Sequence, residues 1–223
     1  MSYLGTTKIG KMFLGTVEIA KAYLANTLVY QSGGGPTPPP LPYDAEIAYL
    51  QCTGINQYID TGQTIDFQNH DYDFSFVAEY TDVSGRQLMG DGQACFMGVN
   101  AGRFELRYNS YYGSISANTE HTWRKTFVSK ISYEYIDGTQ VGSVDRSGLT
   151  PQLSKIFLFT TYGGPTTLYS MAKLKSAKLY VDSVPVFDMI PVRVGSVGYM
   201  YDRVSGTLFG CASSGTFTLG PDI

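Results

Sequence analysis

The sequence predicts an all-β protein, an antiparallel β-sandwich of the jelly-roll kind preceded by a small N-terminal β-ribbon. Three observations carry this. The first thirty residues repeat with a period of ten, most of the segments from Glu46 onward alternate apolar and polar residues, and no segment of helical length shows a 3.6-residue period.

In the repeat, Tyr3-Leu4-Gly5-Thr6 matches Phe13-Leu14-Gly15-Thr16 and Tyr23-Leu24-Ala25-Asn26, with Ile9, Ile19 and Val29 in step. Each copy joins an aromatic-Leu pair, a turn-forming small residue and a β-branched residue, so it reads as one short strand with its turn. A three-stranded ribbon of this length cannot enclose a core, since chains below about 40 residues normally need disulfides, metals or oligomerisation. Residues 1–31 are therefore expected to attach or oligomerise through Tyr3, Leu4, Ile9, Phe13, Leu14, Ile19, Tyr23, Leu24 and Val29.

Residues 32–42, Ser-Gly-Gly-Gly-Pro-Thr-Pro-Pro-Pro-Leu-Pro, read as a linker. The glycines swivel and the prolines form a stiff polyproline spacer, together spanning roughly 20 to 30 Å. Residues 43–223 form the sandwich, beginning its strand pattern near Glu46. Phe74, Phe76, Ala78 and Tyr80 alternate, as do Phe104, Leu106 and Tyr108 between Arg103, Glu105 and Arg107. Tyr133–Ile136 runs into Asp137-Gly138, a tight-hairpin dipeptide, with Val141 and Val144 on the return of a central hairpin. Ile156-Phe157-Leu158-Phe159 is apolar without alternation, as a strand buried on both sides would be. Ala177, Leu179 and Val181 lead to a turn at Asp182-Ser183, and Pro185 and Pro191 on the return mark positions that cannot donate to a central ladder.

Composition narrows the function. With 43% hydrophobic and 16% charged residues the chain is globular, and a net charge of −3 without a Lys/Arg block argues against nucleic acid. No apolar run approaches the roughly 18 residues of a membrane helix, and no secretory signal is visible. Cys52, Cys95 and Cys211 are too scattered for a zinc site and read as buried thiols. A calcium ion would need six to eight oxygens, which Asp71 and Asp73 near His70, or Asp91 with Asn100, supply only sparsely. No cofactor is expected.

The two ends of the sandwich resemble a known family. Tyr49-Leu50-Gln51-Cys52-Thr53-Gly54-Ile55-Asn56-Gln57-Tyr58-Ile59-Asp60-Thr61-Gly62 resembles the opening of laminin-G-like, concanavalin A-like domains of bacterial surface and phage proteins. Asp188–Arg193, Val197-Gly198-Tyr199-Met200-Tyr201-Asp202-Arg203-Val204-Ser205-Gly206 and Phe217-Thr218-Leu219-Gly220 resemble their ending. The decapeptide repeat with its linker is similar to N-terminal modules of phage structural proteins. The resemblance implies a virion protein of fibre or decoration type, assembled in the host cytoplasm, exposed on the particle and adhering to surface glycans. Phage fibres are commonly trimeric, so a homotrimer held by residues 1–31 is expected, alongside contacts with other virion proteins. The competing reading is a purely structural capsid or tail protein whose sandwich binds no sugar.

Local chemistry gives the terminal motifs a structural role: Gln57–Asp60 should pair with Gly215–Thr218, while Asp60, Asp202 and the glycines form turns. An enzyme of this fold would carry acids alternating along one strand, and no such run exists. Glu134 and Asp137, three apart, fall on opposite faces, so no catalytic residue is expected. Eighteen tyrosines make sugar contact the better-motivated activity. Tyr108 shares a face with Phe104 and Leu106 and reads as packed on the sheet. The candidates are Tyr111 and Tyr112 with Asn109, then Tyr162 beside Gly163-Gly164, and Trp123, a residue that in such a setting is more often a core anchor.

Overall fold

In the strand Tyr72–Tyr80 every second residue is buried, and this alternation fixes which face of the larger sheet becomes core. The computed structural model describes residues 2–4, 7–9, 13–14, 17–18, 21–24, 27–31, 40–54, 56–66, 69–84, 86–90, 96–105, 111–145, 147, 153–160 and 169–223. They divide into two units, Met1–Leu41 and Pro42–Ile223.

The first unit contains β1 (Ser2–Leu4), β2 (Thr7–Ile9), β3 (Phe13–Leu14), β4 (Val17–Glu18), β5 (Lys21–Leu24) and β6 (Thr27–Gln31). These pair as three antiparallel hairpins, with Leu4 opposite Thr7, Leu14 opposite Val17 and Leu24 opposite Thr27. Each decapeptide is thus two strands rather than the one expected, and the ribbon of three strands becomes three hairpins. The aromatic-Leu pairs lie on the first arms, β1, β3 and β5, and Ile9 and Val29 on the second arms, β2 and β6. Ile19 lies outside the described residues.

The second unit runs β7 (Ala45–Glu46), β8 (Leu50–Cys52), β9 (Ile59–Asp66), β10 (Tyr72–Tyr80), β11 (Arg86–Gly90), β12 (Phe96–Asn100), β13 (Arg103–Glu105), β14 (Tyr111–Tyr112), β15 (Glu120–Val128) and β16 (Ile131–Ile136). It continues with β17 (Thr139–Asp145), β18 (Leu153–Leu158), β19 (Ala172–Val181), β20 (Val184–Val194), β21 (Val197–Asp202), β22 (Thr207–Phe209) and β23 (Thr218–Leu219). The larger sheet has the order β17-β16-β15-β10-β19-β20-β21-β22, with β7 on β20 and β8 between β19 and β23. The smaller has the order β14-β13-β12-β11-β18-β9. All pairings are antiparallel.

Phe74, Phe76, Trp123, Leu179 and Phe187 from the larger sheet and Met89, Met97, Val99, Ile156 and Leu158 from the smaller belong to one buried cluster. Each large side chain so buried contributes about 1.5–3 kcal/mol. Ile156, Phe157, Leu158 and Phe159 are all buried, as their apolar run predicts.

Four hairpins close through two residues that both take positive φ: Ala101-Gly102, Ser129-Lys130, Asp137-Gly138 and Asp182-Ser183. That turn matches the right-handed twist of the strands it joins, which is why even Ser129-Lys130 adopts it. The hairpin at Asp137-Gly138 stands at the sheet edge rather than its centre, because β17 has no further neighbour. Pro185 sits at a register shift between β19 and β20, where no ladder donor is needed. Pro191 lies inside the central strand β20 opposite Met200, and its carbonyl accepts from Ile47 N at 3.0 Å.

The strand pairing expected between 57–60 and 215–218 is corrected. β9 pairs with β18, and β23 pairs with β8. The two motifs meet through that β8–β23 ladder and through the Gln57 side chain, whose Nε2 donates to Thr216 O and whose Oε1 accepts from Thr53 N at 2.6 Å. Backbone approach there is close: a Cβ on Gly215 would lie 2.2 Å from Asn56 O and 3.0 Å from Asn56 C. Gly215→Ala is expected to cost about 2 kcal/mol, because backbone must move. Gly198→Ala should cost less, since its Cβ would meet only the movable tips of Leu50 and Leu219. Paired thermal melts check the order, which would be wrong if Gly198→Ala were the more damaging.

Candidate functional site

Three chain segments converge at one end of the larger sheet, on its outer face. They are the approach to β10, the β15–β16 turn and the β19–β20 turn. Asp182 holds them. Its Oδ1 accepts from Asp71 N at 2.9 Å, its Oδ2 bonds His70 Nδ1 at 2.7 Å, and its own N donates to Asp71 O at 2.9 Å. Asp71 Oδ1 in turn accepts from Ser129 N at 3.1 Å. The bond from His70, then that from the Asp71 N–H, holds the Asp182 carboxyl below the usual carboxylate range.

The register sets what this end presents. Asp73 lies opposite Thr126 on β15 and Tyr180 on β19, so these three form a row across the outward face. One row along, Ser75 lies opposite Arg124 and Lys178. Arg124 reaches back to Asp73 as a two-pronged pair, Nε to Oδ1 at 2.9 Å and Nη2 to Oδ2 at 2.7 Å. Its Cζ stands 5.6 Å over the Tyr135 ring. The bond to Asp73 raises the Arg124 pKa further, so the guanidinium is permanently charged. Around this pair lies an open pocket of about 340 Å³, lined also by Asp71, Thr126, Val128 and Tyr180. Thr126 is buried at the sheet surface, while Val128 is 44% exposed. Polar groups fixed in orientation beside apolar surface are what small-molecule sites offer.

The residues expected to bind sugar are not brought together here. Trp123 is corrected to core: it is fully buried, stacked on Phe76 at 5.7 Å and edge-on to Tyr80 at 5.6 Å, so no ring face reaches solvent. Tyr111 and Tyr112 form the edge strand β14 of the other sheet, opposite Glu105 and Phe104. Asn109 and Tyr162 lie outside the described residues, as do Leu106, Tyr108 and Asp91.

Glu134 and Asp137 do not share a cleft. Glu134 is fully buried on the inner face, accepting from Ser132 Oγ at 2.7 Å with Lys125 Nζ at 3.9 Å, whereas Asp137 sits on an exposed turn beside His121 at 2.8 Å. Asp71 and Asp73 come close, as a calcium reading needs, but Asp73 is matched by Arg124 rather than by further oxygens. Among the described residues, no three His, Cys, Asp or Glu side chains are grouped to hold a metal ion. Cys52 is buried, but Cys211 is only half-buried, its Sγ beside Asn56 O.

Sequence reasoning noticed Asp71 and Asp73 but missed Arg124 and Tyr180 as their neighbours. The available signal was the Asp-x-Asp spacing, which puts both acids on one face of an extended chain.

No family model matches the chain, and no curated protein matches it. Among solved structures it is similar to a Bacteroides ovatus protein described as a "putative carbohydrate binding protein", with a TM-score of 0.57 and 11% identity. That match covers 78% of this chain and 60% of the other, so the chain spans less than two thirds of that protein. The shared fold is an antiparallel β-sandwich. The sandwich also matches, at lower TM-scores, a sialidase from Trypanosoma rangeli and a SAP-like pentraxin from Limulus polyphemus. For the sialidase the TM-score is 0.43 at 16% identity, over 54% of this chain and 22% of that one. For the pentraxin it is 0.44 at 11% identity, over 61% and 76%.

Proposed function

We propose that this chain is a phage virion protein of the fibre or decoration kind, which displays the lectin-like sandwich for adhesion to surface glycans and cleaves nothing. The observation that carries the adhesion reading is the outer-face pocket, where a carboxylate, a guanidinium and a tyrosine are held side by side on three paired strands. Hydroxyl-rich rings with partly apolar faces are suited to such a mixture. The Bacteroides ovatus protein, described as carbohydrate binding, supports the same direction. The motifs at both ends of the sandwich and the decapeptide repeat support the virion assignment. The protein would be assembled in the host cytoplasm and exposed on the particle, with residues 1–31 joining three chains or docking on another virion protein. Recurring apolar residues in the three hairpins support a closed symmetric assembly.

A glycan array probed with the full chain tests the adhesion. Binding at micromolar to millimolar strength is expected, amplified by multivalency. A blank array under multivalent display would favour the purely structural reading. Solution mass on the same sample should give a trimer; a monomer would remove the oligomerisation role of residues 1–31.

A further inference from the structure

We infer that the outer-face pocket selects an uncharged hexose, held by two neighbouring hydroxyls, and turns away sugars carrying a carboxylate or sulfate. This rests on the glycan-binding reading and adds the ligand class and the residues that choose it.

The Asp73–Arg124 pair supplies the hydroxyl recognition. Each carboxylate oxygen has acceptor capacity beyond its bond to Arg124, and a guanidinium has five N–H donors, of which Asp73 engages two groups. Both side chains stay open to solvent, at 35% and 50% exposure. A hydroxyl that donates to Asp73 while its neighbour on the ring accepts from Arg124 would complete this arrangement, with both partners already oriented by their mutual bonds. Tyr180, in the same row as Asp73, and the exposed Val128 give the C–H face of the ring an apolar contact. Asp73 lies between them on β10, with Thr126 beside it on β15.

Charge supplies the exclusion. The pocket holds the carboxylates of Asp71 and Asp73 against one cation, Arg124, with Asp182 next to it. An acidic sugar accepting from the spare Arg124 N–H groups would bring a further negative charge against Asp73 and Asp71, with Arg124 shared among them. Lys178, in the next row, is already 3.5 Å from Asp188. A neutral ring adds no such charge. Like-charge juxtaposition is a common way for a site to reject the wrong partner.

The test is an NMR titration of the full chain with methyl glucoside, methyl galactoside and methyl mannoside, and separately with glucuronic acid and N-acetylneuraminic acid. At least one neutral glycoside should bind, shifting amides confined to residues 71–73, 124–128 and 180–183, and the acidic sugars should bind at least about tenfold more weakly. Asp73→Asn and Tyr180→Ala should each weaken the neutral sugar by about tenfold. The amide shifts need no variant, so they decide the location even if a substitution disturbs folding. Acidic sugars binding here as tightly as neutral ones would overturn the selectivity while leaving glycan binding intact. Shifts centred elsewhere would overturn the site. No binding of any sugar, here and on the array, would remove the glycan reading and this inference with it.

Discussion

Replacing Asp202 with Ala should lower the stability of the sandwich by about 3–5 kcal/mol, because a nearly buried carboxylate would be lost from the middle of a four-bond cage. Its Oδ1 accepts from Asp188 N at 2.8 Å and Val204 N at 3.1 Å, and its Oδ2 from Ser205 N at 3.1 Å and Ser205 Oγ at 2.6 Å. Gly206 then closes the turn at φ 72°, donating to Asp202 O at 2.8 Å. Alanine would leave those backbone donors without their acceptor. Burial alone would raise the Asp202 pKa, but the bonds from Ser205, Asp188 and Val204 outweigh it and lower the pKa. The native state therefore binds this proton less readily than the unfolded chain, whose Asp titrates near 3.9. The contribution is complete above about pH 4 and disappears as pH falls through the folded value. Urea melts from pH 7 to pH 2 should show Asp202→Ala well below the unmutated protein at neutral pH and the gap narrowing in acid. A gap that stays constant with pH would mean the carboxylate is not what stabilises the turn.

Trp123→Ala should cost a similar amount, about 3–5 kcal/mol. The indole is fully buried between Phe76 and Tyr80, and no neighbour of that size can fill the space. For a domain of this length the melting temperature should fall by about 10 °C. Trp123 is the chain's single tryptophan, so its emission reports directly on this core. Emission in the folded protein should be blue-shifted and unchanged by sugar; a sugar-dependent change would restore Trp123 to the binding site.

What the sequence made legible was what single segments encode. Phe74, Phe76 and Ala78 announce their face by alternation, Asp137-Gly138 announces its turn, and Tyr201–Gly206 is explained by the bonds Asp202 makes. Ser129-Lys130 forms the same kind of turn with no sign in its residue types, because strand twist demands it. The pairing of β9 with β18 was hidden because the ladder between the two terminal motifs falls at Leu50-Gln51 with Thr218-Leu219, which leaves Gln57 to reach Thr216 by its side chain and Ile59–Asp66 to pair with a mid-chain strand. The pocket was hidden for a related reason. Asp73, Arg124 and Tyr180 come from strands far apart in the chain, and each on its own looks like an ordinary outward residue.

The position of β8 has a consequence for how the chain reaches this state. Leu50 lies opposite Leu174 on one side and Leu219 on the other, and Ile47 bridges to Asp222. β7 and β8 thus find their partners only from residue 172 onward. During synthesis β10 can pair with β15 on one edge, but its other edge must wait on the ribosome until β19 emerges. High contact order of this kind slows folding to roughly milliseconds to seconds, the interval in which chaperones act on a nascent chain.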